Sequence, residues 1–81
     1  MLGTDLMVAV GLYREASDYC SAGAATVTAS ADKESLYSCA KDHLIDAART
    51  LAMLRTRDNL IFAEQLLTEA QSAARKAVDV N

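Results

Sequence analysis

Proline and tryptophan are absent from this sequence, and glycine occurs only at Gly3, Gly11 and Gly23. Without the residues that punctuate tight turns, a many-stranded β-sandwich or barrel is strongly disfavoured. Aromatics are also scarce, with one Phe (Phe62) and three Tyr. The apolar half of the composition therefore rests on Ala, Leu and Val, which suits closely packed helices better than a bulky core. No run of like charge exceeds Arg75-Lys76, and eight basic residues face eleven acidic ones for a net charge of −3. Such a surface offers no polybasic tail and weighs against nucleic-acid or membrane partners. No apolar run approaches the ~20 residues that span a bilayer. The opening MLGTDLMVAV carries Asp5 and no basic segment, unlike a secretory signal. These features lead us to expect a cytoplasmic protein.

Chemistry is thinly supplied as well. There is no Gly-rich phosphate loop, a single histidine (His43), and no carboxylate pair outside solvated helix faces. An active site needs a pocket, a cradle for developing charge and rigid loops, so no catalytic residue and no cofactor are assigned. Cys39, His43 and Asp46 share a helix face at i, i+4 and i+7, and each type can ligate a transition metal. A structural zinc site wants four ligands, and only Cys20 or a second subunit could complete this set. The simpler reading is a solvent-edge histidine whose N–H is satisfied by Asp46 or Asp42, and no metal is assigned. Cys20 and Cys39 form no CxxC pair. If the helices that carry them pack antiparallel, the two are offset by about 10 Å, which predicts free thiols rather than a disulfide.

What the chain does have is helical periodicity. Tyr37, Ala40, Leu44, Ala47, Leu51 and Leu54 alternate in threes and fours, with Leu36 and Ala48 beside them and Asp42, Asp46 and Arg49 opposite. This stripe organises the whole chain. Before it, Leu2, Leu6, Ala9, Tyr13, Ala16 and Cys20 repeat the alternation, with Thr4 or Asp5 as cap. After it, the phase changes at Thr56-Arg57-Asp58-Asn59, with Asp58 as candidate N-cap. A new stripe then runs through Leu60, Ala63, Leu67, Ala70, Ala74 and Ala77, widened by Leu66, Ala73, Phe62 and Val78. Between the first two stripes, SAGAATVTASA loses the period and reads as a loop in which Gly23 ends the first helix.

The expected fold is all-α and a single domain. A short first helix (about 4–20) is followed by a loop (about 21–31). Helices at about 32–56 and 58–78 then form a long antiparallel hairpin with coiled-coil-like seams. A single bent helix over 32–78 is the alternative for the hairpin.

The apolar arc of the first helix spans about 200°, wider than one neighbouring helix can cover. That surplus points to a non-enzymatic protein-interaction module of adaptor, chaperone or inhibitor type. Such a module is covered by a second copy of itself or by a different protein, and Val8, Leu12, Tyr13, Tyr19 and Phe62 are its expected interface. The alternative is a small nucleic-acid-binding regulator using Arg49, Arg55 and Arg57. However, the helix after that corner opens DNLIFAEQ, acidic and apolar, where a groove-reading helix carries basic and amide residues.

Overall fold

Alanine and leucine dominate the three stripes, and the chain folds accordingly into three helices. The computed structural model describes residues 2–54 and 56–79, with side chains from residue 5 onward. Helix α1 spans Leu2–Thr26, α2 Ser30–Ala52 and α3 Arg57–Asp79. The all-α three-helix arrangement expected from the sequence is what forms. Helix α2 lies in the middle, packed along both neighbours, while the α1 and α3 backbones barely meet. A cleft lined by Arg14, Asp18, Leu44, Glu69 and Lys76 separates those two flanking helices. The result is a slab of 43 × 19 × 12 Å with a radius of gyration of 13.4 Å, against about 11.7 Å for a compact domain of this length.

The first helix is not short. It runs six residues past Cys20, through Gly23, and the expected loop over 21–31 contracts to residues 27–29. Ala24 is fully buried, and it continues the spacing of Val10 and Ser17, seven residues apart on the inner face of α1. A Cβ on Gly23 would lie 3.4 Å from Leu36 Cδ1, so the helices meet closely there. Small residues thus carry the stripe onward where large ones stop. The end of α1 has no basic residue of its own. Lys33 of α2 supplies the cation instead, donating from Nζ to the Ala24 carbonyl at 2.9 Å. The expected cap positions 4 and 5 fall inside α1, which starts at Leu2. Helix α2 starts at Ser30, earlier than expected, behind Ala29, which makes no side-chain cap.

The break between α2 and α3 is real, which rules out the single bent helix. Helix α2 tightens at its end, where Leu54 N donates to the Leu51 carbonyl at 3.0 Å. The N-cap of α3 is Thr56, not Asp58: Thr56 Oγ1 accepts from Asn59 N at 3.3 Å. Leu60 N then donates to the Thr56 carbonyl at 2.9 Å. The core joins Val10 to Leu44, Ala47, Ala48 and Leu51 of α2 and to Ala63, Leu66 and Ala70 of α3. On α3 the buried line runs through Ala63, Leu66, Ala70, Ala73 and Ala77. Leu60 and Leu67, expected at its centre, are instead 47% and 46% exposed. Among the described residues, no helix is long and apolar enough to cross a membrane.

Candidate functional site

Three features of the surface are candidates for function, and each follows from how a helix presents its residues. The first is the outer side of α1. At about 100° per residue, Val8, Leu12 and Tyr19 share one narrow face, roughly opposite the buried line of Val10, Ser17 and Ala24. They are 57%, 61% and 80% exposed. Tyr13 and Phe62 lie elsewhere, half-buried against the core. Tyr13 stacks on the His43 ring with centroids 6.3 Å apart, and Phe62 sits under the Arg14 guanidinium at 5.1 Å. The five expected interface residues therefore do not form one patch: three face outward from α1 and two brace the helices.

The second feature was not visible in the sequence. On the side of α2 away from α1, a groove follows the α2–α3 seam. One part, about 440 Å³, is lined by Ile45, Ala48, Ala52, Leu60, Ala63 and Leu67, with Arg49 and Glu64 also in its lining. The next part, about 280 Å³, shares Ile45 and Leu67 and continues past Lys41, Ala70, Gln71 and Ala74. Leu60 and Leu67 read as core in the sequence because their spacing is helical. They are the exposed flank of the α3 stripe because that stripe is wider than α2 alone can cover.

The third feature is a cluster on the α1–α2 seam. Ser17, buried, donates from Oγ to the Ala40 carbonyl at 3.0 Å. One turn further, the Cys20 thiol meets the Cys39 sulfur at 2.7 Å. The predicted 10 Å offset is overturned because α1 continues past Cys20 and the link is only three residues long, which slides the antiparallel register. His43 follows Cys39 by one turn of α2, and one of its ring nitrogens lies with both sulfurs in a group whose ligand atoms are all within 4.8 Å of one another. The His43 Nδ1 is shut off from solvent and has no hydrogen-bond partner, so neither Asp46 nor Asp42 satisfies that nitrogen. An open trough of about 480 Å³ leads to the cluster, lined by Glu34, Ser38, Cys39, Asp42, His43 and Asp46. Burial first, then the bond to Cys39 and its charge, push the Cys20 pKa from the ordinary 9.0 to about 11. Both cysteines are free.

The basic corner is dispersed. Arg49 borders the hairpin groove, Arg57 is exposed at the first residue of α3, and Arg55 lies outside the described residues. No protein-family model, curated protein or solved structure matches this chain.

Proposed function

We propose that the protein is a small non-enzymatic helical interaction module whose apolar faces are covered by another chain, in the first instance a second copy of itself. The observation that carries this reading is surplus surface. The chain exposes 5373 Å², against about 4,700 Å² for a folded monomer of its mass. The excess, roughly 650 Å², approaches the ~800 Å² that each partner gives to a specific interface.

The hairpin groove is the better seat for a second copy. A two-fold axis along the hairpin lays α2 of one copy over α3 of the other and closes a four-helix bundle. Arg49 and Glu64 both border this groove, so its rim offers charges of both signs to a second copy. The outer stripe of α1 stays uncovered in such a dimer. Tyr19, the most exposed large apolar side chain described, makes this stripe the docking face for a different protein.

Sedimentation of the full chain at micromolar concentration tests the pairing. A dimer that becomes a helical monomer on Leu60→Glu with Leu67→Glu supports the groove. A dimer broken by Leu12→Glu with Tyr19→Glu, and not by the groove pair, moves the interface to α1. An 8.7 kDa monomer that captures no protein from a host lysate overturns the reading.

A further inference from the structure

The α1–α2 seam brings together three side chains that the interaction reading leaves unused. Cys20 comes from α1, while Cys39 and His43 come from successive turns of α2. Their ligand atoms all lie within 4.8 Å of one another. Two thiols and an imidazole gathered this closely, at the mouth of a trough that also holds Asp42 and Asp46, match the donor preference of zinc and its near relatives. Magnesium and calcium seek oxygen donors instead. The geometry points to a site for one zinc-class divalent ion, bound by Cys20, Cys39 and His43, that ties α1 to α2.

The His43 ring supplies the second, independent argument. A buried imidazole nitrogen normally has a hydrogen-bond partner, and leaving one unpaired is costly. Nδ1 of His43 is buried and has none. Stacking on Tyr13 limits how the ring can turn to find one. A disulfide between Cys20 and Cys39 would make no use of this ring, whereas an ion would.

The sulfurs are 2.7 Å apart, whereas an ion with Zn–S bonds of about 2.3 Å holds two thiolates about 3.7 Å apart. Uptake therefore spreads the pair by about 1 Å, a movement that small rotations about Cα–Cβ provide. The fourth position opens on the trough. Water can occupy it, or the carboxylate of Asp46, which follows His43 by three residues on the same helix. This site lies on the α1 side of α2, away from the hairpin groove, so it stands or falls separately from the proposed dimer.

The test uses the full chain without a His-tag, reduced with a phosphine and stripped of metal. Zinc is titrated in against a chromogenic chelator, and cobalt is added in a parallel sample. The expected result is one ion per chain, a thiolate-to-cobalt charge-transfer band, and a rise in Tm with zinc. Cys20→Ser, Cys39→Ser and His43→Gln should each weaken uptake at least tenfold while the metal-free variants keep the parent helix content. Three results overturn the site. One is no uptake by the reduced parent protein. Another is uptake that His43→Gln leaves unchanged. The last is uptake that neither Cys20→Ser nor Cys39→Ser weakens.

Discussion

The two seams of α2 are built from different materials. Toward α3 it presents Leu44, Ala48 and Leu51 to Ala63, Leu66 and Ala70, a hydrocarbon contact. Toward α1, beyond the Val10 end that joins the same core, the contact is made largely by small and polar groups. Ser17 bonds to Ala40, Cys20 meets Cys39, Gly23 lies under Leu36 and Lys33 holds Ala24. Every one of these pairs is centred on or within a residue of the link at 27–29, so together they fix one antiparallel register. Hydrocarbon contacts supply most of the free energy and tolerate sliding. Polar contacts add little each but are lost if the helices shift by a residue. The α2–α3 seam thus holds the fold together, and the α1–α2 seam positions side chains relative to one another. That is where a site can be built.

Mutations can break this comparison or sharpen it. The largest effect should come from the hydrocarbon seam. Leu51 is fully buried, so Leu51→Ala should cost roughly 2–5 kcal/mol, enough to unfold a chain whose total stability is on that order. Urea unfolding followed by circular dichroism measures it, and an unchanged midpoint would refute the assignment of that seam.

The next effect belongs to the cysteine pair and depends on pH. The folded pKa of Cys20, about 11, stands above the ordinary 9.0, so folding favours the protonated thiol. That stability is fully present below pH 9 and is lost as pH rises through 11. With chelator and reductant present, this thiol should leave Tm unchanged up to pH 9 and lower it between pH 9 and 11. Cys20→Ser should remove this part of the fall.

A smaller loss is expected from Ser17→Ala. It deletes one buried interhelical hydrogen bond while the Ala40 carbonyl keeps its place in the α2 ladder, a cost of about 1 kcal/mol. If Ser17→Ala cost as much as Leu51→Ala, the division of labour between the seams would be wrong. The smallest effect is a gain. A Cβ on Gly11 would meet nothing within 4 Å, so Gly11→Ala should stabilise α1 by about 0.5–1 kcal/mol, read as a small rise in the urea midpoint.

How much of this could be read from the sequence follows the same division. The centre of α2 was legible because Leu44 and Leu51 are large and periodic, and both are buried. The continuation of α1 was hidden because it runs through Gly23 and Ala24. These are small residues that carry little weight in an apolar pattern yet pack most closely. That difference in length sets Cys20 in another register, so the sequence offers it only as a possible completing ligand for Cys39, His43 and Asp46, about 10 Å away. The local half of the signal, Cys39 and His43 one turn apart, was present in the sequence. The other half needed the geometry of the link. The hairpin groove stayed hidden for a different reason: periodicity shows that Leu60 and Leu67 belong to an apolar face but not how much of that face its neighbour covers.

Because each helix packs mainly on the one next to it in the chain, nearly all pairings close short stretches of sequence. Such topologies reach the native state quickly, since little loop entropy is lost before contacts form. The order of events is constrained as well. Neither α1 nor α3 has anywhere to dock until α2 exists. A chain emerging from its amino end must therefore wait for the middle third before its first helix can settle, and the last helix can then add to a pair already formed.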